Sequence, residues 1–479
     1  MSPGNAKLST HEQFVEPEPV IGREFWTMLS LIYPVVVTSA LEFLPAVTCT
    51  ILAGHMDSPL TKEYVDATTM STMCTHTQFA NITAFSVGFG LSSALDTLCS
   101  QAYGAKRFDK IGVYFQSGVL VIGACLLPIF LLNWYSEGFL LYLGQEPEVA
   151  RLAQVFSRYS LPGVPFVFLY ELVRKVLQAQ NIMQPLVVIA LIGNIVNIVA
   201  GYVLAYHTPL GFEGIAISRA LGNIVLPVLL IPYFQMYPLT LAQWWCDGWN
   251  LKEAIAHVGL FLKLGIPGLL QLVMEWWAFE IISLMAGVLP DSLVAMSAHA
   301  VLLNVTTMLY MVFVGLSVAA NIRVGNCLGA NEPKKAQMVA HLAMMMAVGV
   351  SIFVALGLFT LRSHIAVLFI SDPESIEKAS TVLLIWSPME VLDAINCVIQ
   401  GVFRGAGKQD AAATTNAVAY YAAGIPLAAL LGFKFHLGIE GLWIGFGVGV
   451  IISAATLVVL FNRWKWDELA EDAQVRTAE

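Results

Sequence analysis

The sequence predicts an all-α integral membrane protein with twelve transmembrane helices in two pseudo-symmetric six-helix lobes. Two observations lead to this fold class. Hydrophobic residues make up 57% of the 479 residues and charged residues only 12%, whereas about a quarter of the residues in a soluble domain are charged. The two halves of the chain also repeat each other, which is typical of a transport unit built twice.

Twelve apolar stretches are long enough to cross a membrane. About 20 residues of helix cover the roughly 30 Å of hydrocarbon in a bilayer, and six such stretches fall in each half of the chain. They lie near residues 27–54, 69–97, 111–134, 152–174, 184–206, 213–236, 263–288, 294–322, 336–361, 379–402, 411–433 and 437–462.

The internal repeat is visible in paired prolines and glutamates. Pro34 and Glu42 of the first half align with Pro267 and Glu275 of the second. Because each half has an even number of spans, both copies insert the same way up, and their symmetry axis follows the membrane normal. The cleft between the lobes is then the expected place of alternating access. The aligned segments are 31–54 with 264–287, 90–105 with 315–330 and 210–214 with 437–441.

Lys and Arg residues predict the orientation and the division of the chain. With the N-terminus inside, most of them fall on the cytoplasmic side, including Arg174 and Lys175 after the fourth span, which places both termini in the cytoplasm. Five fall on the opposite side: Lys62, Arg151, Arg362, Lys378 and Lys434. The predicted parts are a cytoplasmic tail at 1–25, an N-terminal lobe at 26–236, a cytoplasmic linker at 237–262, a C-terminal lobe at 263–462 and a cytoplasmic tail at 463–479.

Composition and motifs argue against several functional classes. The net charge of -9 gives no support for nucleic-acid binding, and the seven cysteines show no metal-ligand spacing. The sequence contains no HExxH, GxSxG or Walker-type loop, so we expect no enzymatic activity, catalytic residue, metal or cofactor. A passive channel remains a rival, which gradient-coupled and saturable flux would exclude.

Two acidic residues lie near the middle of apolar spans. Glu275 is central in the seventh span and Asp393 in the tenth. A charge at this depth costs roughly 2.5 to 3.5 kcal/mol on insertion scales, and such residues mark ion or proton pathways. We therefore predict that Glu275 and Asp393 bind protons or substrate. The alternative is a hydrogen-bonded pair that only locks helices together.

Further polar residues are candidates for the same function or for support of it. Glu390 shares a helix face with Asp393, whereas Glu280 is turned about 140° away from Glu275 at about 100° per residue. Either role stays open for the acid that mirrors Glu275 and for two asparagines inside spans 2 and 8. These three are Glu42, Asn81 and Asn304.

Two prolines and two polar residues suggest moving parts. Pro34 and Pro267 lie inside helices, where proline removes a backbone hydrogen bond and introduces a kink, so we predict hinges there. The alternative is that membrane helices tolerate proline without such a role. Asp96 and Asn321 lie at cytoplasmic helix ends, where we expect access to water and a gating or capping role.

Four motifs resemble those of the multidrug and toxic compound extrusion (MATE) family, in its eukaryotic branch. The resemblance implies two six-helix lobes in a V-shaped arrangement. It also implies export of organic cations or varied xenobiotics and metabolites, driven by a proton or sodium gradient. The motifs are Ser86–Gly104, Glu275–Glu280, Ala319–Ala330 and Gly401–Gly407.

The resemblance also implies roles for individual residues. The family's two seventh-helix glutamates fall on Glu275 and Glu280, its tenth-helix acid on Asp393 and its second-helix asparagine on Asn81. The chain departs from the pattern at two positions. Some animal members have a glutamate where this chain has Asn304, and many eukaryotic members have a glutamine where it has Glu42. An additional cation site near Glu42 is therefore a hypothesis.

We predict a secondary active antiporter that exchanges protons for a cationic or amphipathic small molecule by alternating access. Protons are preferred over sodium because the resemblance is to eukaryotic members. An organic-anion exporter, such as one for citrate, and a sodium-coupled antiporter remain alternatives. A lipid-linked precursor flippase would need a strongly cationic cavity, which few mid-span basic residues could form. We expect a monomer in the plasma membrane or the vacuolar membrane.

Overall fold

A computed structural model describes residues 21–56, 58–71, 80–142, 144–245 and 248–478, without the side chains of residues 66, 69–71, 81 and 82. All regular structure in these ranges is helical. Ten helices are long and apolar enough to cross a membrane, and two further spans are divided into shorter pieces. The predicted all-α fold with twelve spans in two lobes is confirmed.

The twelve spans are labelled α1 to α12 in chain order. The N-terminal lobe contains α1 (Ile21–Gly54), α2 (Asn81–Phe85, Ser86–Ser92 and Ala94–Gly104), α3 (Phe108–Trp134), α4 (Pro147–Ser160, Leu161–Gly163 and Val164–Ala179), α5 (Gln184–Tyr206) and α6 (Phe212–Met236). The C-terminal lobe contains α7 (Val258–Gly287), α8 (Ser292–Gly329), α9 (Pro333–Phe369), α10 (Pro373–Ala406), α11 (Gln409–Lys434) and α12 (Gly438–Asn462).

The fourth span differs from its prediction. Its helix is interrupted by a 3₁₀ turn at Leu161–Gly163, where Pro162 cannot donate a backbone hydrogen bond. It then continues to Ala179. Arg174 and Lys175 therefore lie within α4, and their assignment to a cytoplasmic loop was wrong. Hydropathy ended the span too early because both cations are paired inside the lobe, as described below.

Short helices occupy parts of the chain outside the spans. Thr61–Ser71 follows α1, and a C-terminal helix, Trp466–Ala478, follows α12. The linker between the lobes holds Pro238–Ala242 and Leu251–Ala256. Within α11, the stretch Val418–Gly424 has π-helical geometry.

The lobes meet at the end of the molecule that carries residue 21 and the C-terminal helix, here called the closed end. Glycines allow the helices to approach closely there. A Cβ atom on Gly325 of α8 would collide with the Ser100 side chain of α2, and one on Gly329 would collide with the Gln101 backbone. Gln101 Nε2 also donates to Gly405 O across 2.9 Å. Backbone-to-backbone packing therefore forms much of the seam between the lobes.

Polar groups at this seam are buried. Asp96 is 6% exposed and Asn321 1% exposed, so the expectation that both are easily wetted was wrong. They are covered because the opposite lobe packs against the helix ends that carry them. Thr97, next to Asp96, donates to the Arg404 carbonyl across 2.6 Å.

The C-terminal helix contacts both lobes. Its Gln474 donates to Gly329 O in the C-terminal lobe across 2.7 Å. Its Arg476 donates to Gln101 Oε1 in the N-terminal lobe across 2.5 Å, and the Arg476 carbonyl accepts from Tyr114 across 3.2 Å. This helix therefore fastens the closed end from outside the bundle.

Candidate functional site

An acidic site lies inside the C-terminal lobe. Glu275 comes from the middle of α7, and its Oε1 accepts a hydrogen bond of 3.1 Å from the Tyr310 hydroxyl of α8. Asp393 of α10 lies within electrostatic range of Glu275 and Glu390. Glu275 and Asp393 are half-buried and Glu390 is buried. The structure thus brings together the two acids that the sequence singled out.

Glu390, the third acid of this site, is held in place by a hydrogen bond. Its Oε2 accepts a hydrogen bond of 2.7 Å from Trp386 Nε1, one helical turn earlier in α10. Trp386 is 1% exposed and packs edge-on against Trp443 of α12, with ring centroids 5.0 Å apart. Glu390 therefore has a defined partner, whereas Asp393, three residues later, remains partly accessible.

A buried network of amides and hydroxyls connects the helices around the acids. Asn396 donates to the Tyr420 hydroxyl across 2.9 Å. Ser453 donates to Asn396 Oδ1 across 3.0 Å and to Asn416 Oδ1 across 2.7 Å. Asn416 donates in turn to Gln400 Oε1 across 3.1 Å. The network ties α10, α11 and α12 together, and sequence reasoning missed it; the spacing of Asn396 three residues after Asp393 was the available signal.

Among the residues that the structure describes, the other predicted residues of this lobe make no hydrogen bond to these acids. Glu280 makes no hydrogen bond or ion pair with any residue in the described part of the chain. Asn304 Nδ2 donates to Ala300 O of its own helix across 2.8 Å. Trp277 is 43% exposed on the outside of the lobe, while Phe279 packs against Phe446 with ring centroids 4.8 Å apart.

The N-terminal lobe contains a partly enclosed cavity. Two acids line it, and one of them, Glu42, pairs with Arg174. Arg174 also lies 2.5 Å from Glu171, which lines the cavity. The carboxylate predicted to hold a second cation thus already has a cationic partner, and the second site stays a prediction. Other lining residues are Phe85, Phe89, Tyr170, Asn194, Asn197, Arg219 and Asn223.

Three predicted residues of the two lobes remain: Asn81, Pro34 and Pro267. The side chain of Asn81 lies outside the described residues. Pro34 and Pro267 both lie inside continuous helices, α1 and α7, and their role as hinges stays a prediction.

Comparison with known sequences finds one family along most of the chain. The family model MatE matches residues 34–203 and 267–430, one segment in each lobe. Multidrug and toxin extrusion protein 2 of Pongo abelii is 35% identical over 467 residues, which cover 95% of this chain and 78% of that protein. Multidrug and toxin extrusion protein 1 of Homo sapiens is 33% identical over 452 residues, which cover 94% and 77%.

Comparison with solved structures agrees. The crystal structure of eukaryotic MATE transporter AtDTX14 superposes with a TM-score of 0.87 at 30% identity, covering 95% of this chain and 99% of that chain. The outward-facing conformation of a multidrug resistance MATE family transporter of the MOP superfamily superposes with a TM-score of 0.79. The second match covers 93% and 96% of the two chains at 15% identity, so it concerns the fold alone.

Proposed function

This chain belongs to the multidrug and toxin extrusion (MATE) family of membrane transporters, and we propose that it exports organic cations, xenobiotics or metabolites in exchange for protons. The observation that carries the proposal is that Glu275 and Asp393 lie within electrostatic range of each other inside the C-terminal lobe. Two carboxylates placed close together at this depth repel each other, so a proton or a cation stabilises the site by neutralising one of them. Competition between the proton and the cation for this site would couple the movement of protons in one direction to the movement of the cation in the other.

Tyr310 and Glu390 support this use of the site. Tyr310 orients Glu275 from one side, and Glu390 is held by Trp386 at the other. Because Glu275 and Glu390 each have a fixed hydrogen-bond donor, a small cation can bind without reordering these two side chains, which favours tight and reversible binding.

The arrangement of the lobes supports alternating access. We assign the closed end to the cytoplasm, because Lys and Arg residues are concentrated on that side. With this assignment, we infer an outward-facing state, in which the acids would be reached from the opposite side of the membrane. Opening of the seam would expose them to the cytoplasm. We propose the plasma membrane or the vacuolar membrane as its location.

The test is uptake of a radiolabelled tetraalkylammonium cation into proteoliposomes across an imposed pH gradient. Wild type should concentrate the cation, and Glu275→Gln and Asp393→Asn should reduce uptake by about tenfold or more, because each removes a mid-membrane acid of the kind that marks proton pathways. Glu148→Gln, which removes an exposed acid paired with Arg151, serves as the matched control.

A second arm separates the coupling ions. A sodium gradient at equal pH should drive no uptake if protons are exchanged. Uptake with sodium alone would assign sodium coupling, and equal uptake by wild type and Glu275→Gln under a pH gradient would remove Glu275 from the mechanism. Uptake of citrate in place of the cation would favour the organic-anion alternative.

A further inference from the structure

Six charged side chains of alternating sign run from the N-terminal cavity to the seam between the lobes. The first, Glu42, lines the cavity on α1 and pairs with Arg174 of α4. The last, Arg404, belongs to α10 in the opposite lobe. In order, they are Glu42, Arg174, Glu171, Lys175, Asp96 and Arg404, here called the charge chain.

Each member of the charge chain lies near the next. Arg174 Nη2 is 2.5 Å from Glu171 Oε2, and Lys175 Nζ is 3.7 Å from Glu171 Oε1. Lys175 Nζ is 2.9 Å from Asp96 Oδ1, and Arg404 Nη1 is 4.0 Å from Asp96 Oδ2. The side chains of Glu171 and Asp96 are 4% and 5% exposed, so water screens these interactions only weakly.

We propose that the charge chain couples the N-terminal cavity to the closed end: the pairing of Glu42 sets how strongly Asp96 holds Arg404 across the seam. A group with two oppositely charged neighbours divides its interaction between them. When one neighbour is lost, the group turns to the other. A change at Glu42 therefore alternately strengthens and weakens every contact that follows it.

The alternation gives the coupling a direction. When Glu42 loses its charge, Arg174 interacts more strongly with Glu171. The contact of 3.7 Å between Glu171 and Lys175 then weakens. Lys175 then depends on Asp96 alone, and Asp96 holds the opposite lobe less well. A cation that pairs with Glu42 in place of Arg174 thus loosens the closed end from a distance.

Arg404 connects this signal to the acidic site of the C-terminal lobe. Its guanidinium donates to Ser317 Oγ across 3.1 Å and acts electrostatically on Glu275. Its carbonyl accepts from Thr97, next to Asp96. Arg404 is therefore a positioning residue between the two lobes, and the opening of its contact with Asp96 alters the electrostatic environment of Glu275.

The coupling is independent of which compound is exported, and its test measures conformation rather than transport. Ser100 is fully buried at the seam, facing Gly325 of the opposite lobe. In a background with the seven native cysteines replaced by alanine, Ser100→Cys reacts with a membrane-impermeant maleimide only when the seam opens. The rate of labelling in nanodiscs is the measured quantity.

Substitutions of opposite charge should change this rate in opposite directions. Glu42→Gln should speed labelling about fivefold or more, the lower end of ordinary coupling between sites. Arg174→Gln should slow labelling. Glu171 then interacts more strongly with Lys175, Lys175 less strongly with Asp96, and Asp96 more strongly with Arg404. Lys175→Gln should also slow labelling. Asp109→Asn, which removes an exposed acid paired with Arg107, should change it less than twofold.

The order of the charge chain supplies an internal check. In an Arg174→Gln background, adding Glu42→Gln should have no further effect, because the link between Glu42 and the rest is already cut. Glu171→Gln should also speed labelling. This variant serves as the test if Glu42→Gln does not fold. Equal labelling rates in Glu42→Gln and wild type, or a change of the same sign in Glu42→Gln and Lys175→Gln, would overturn the proposal.

Discussion

The Tyr310 hydroxyl donates a hydrogen bond of 3.1 Å to Glu275 Oε1 and thereby joins α8 to α7 at the acidic site. The two helices carry different parts of the cross-lobe contact. On α7, Gly268 approaches Ser93 of the N-terminal lobe, whereas on α8, Gly325 approaches Ser100. The orientation of Glu275 is thus set by a residue on a second helix that also contacts the opposite lobe.

Tyr310→Phe should reduce cation exchange by about tenfold, because a misoriented group loses productive geometry. The fold should be little affected, since a side-chain hydrogen bond between membrane helices contributes about 0.6 kcal/mol on average. Initial uptake rates and the thermal unfolding midpoint measure the two effects. Tyr421→Phe is the control, because Tyr421 donates across 3.2 Å to the Met274 carbonyl, next to Glu275. Similar losses in both variants would contradict a specific role for Tyr310.

Arg323→Met should destabilise the protein. Arg323 donates three hydrogen bonds to Glu24, the shortest 2.7 Å, across the seam between α8 and α1. Removal of one partner from a buried ion pair costs about 3–5 kcal/mol when the other charge is left uncompensated. The lower end of this range is expected, because Lys335 Nζ, 3.7 Å from Glu24 Oε1, still compensates Glu24 in part. The double variant Glu24→Met with Arg323→Met should recover most of the loss. Thermal unfolding in detergent measures both, and a double variant less stable than the single one would contradict this explanation.

Arg476→Ala should loosen the closed end from the outside. The substitution removes the 2.5 Å bond to Gln101 and leaves the N-terminal lobe with one contact fewer to the C-terminal helix. Maleimide labelling of Ser100→Cys should become about twofold to fivefold faster, which corresponds to the lower part of the range of about 0.5–1.5 kcal/mol for the net contribution of one hydrogen bond. Glu468→Gln, which breaks only the exposed pair with Lys465, should leave the rate unchanged.

Gly325→Leu should prevent the seam from closing. The added side chain would occupy the space of Ser100, and overpacking of this kind costs about 1–3 kcal/mol or more. We expect loss of transport, although both lobes should still fold. Gly349→Leu is the matched control in the same lobe, because a Cβ atom there meets nothing within 4 Å. Normal transport by Gly325→Leu would show that this contact is dispensable.

The sequence was sufficient to predict the number of spans, and it singled out the acids of the C-terminal lobe, whose function stays a prediction. A single acid in the middle of a long apolar run, such as Glu275 or Asp393, stands out because its presence there has an energetic cost. The partners of these acids were harder to identify. Tyr310 and Trp386 are amphipathic residues that also occur as ordinary packing groups in membrane helices, and only the relative rotation of the helices shows which acid they meet.

The charge chain could not be predicted for a different reason. A hydropathy window treats each charged residue as a reason to end a span, so Arg174 and Lys175 were placed in a loop. In the structure their charges are offset by acids from three helices, and α4 continues past both. Pairing between residues distant in sequence is a three-dimensional property that a one-dimensional average cannot record.

The glycine contacts at the seam affect how easily the lobes can part and rejoin. Long side chains that interdigitate lose rotamer freedom each time two surfaces meet, by up to about 2 kcal/mol for each side chain. Gly325 and Gly329 have no side-chain torsions to restrict. They face the short side chain of Ser100 and the backbone of Gln101, which is already ordered within a helix. Repeated closure along this line therefore carries a small entropic penalty, and a transporter that must traverse the same barrier in every cycle benefits from surfaces of this kind.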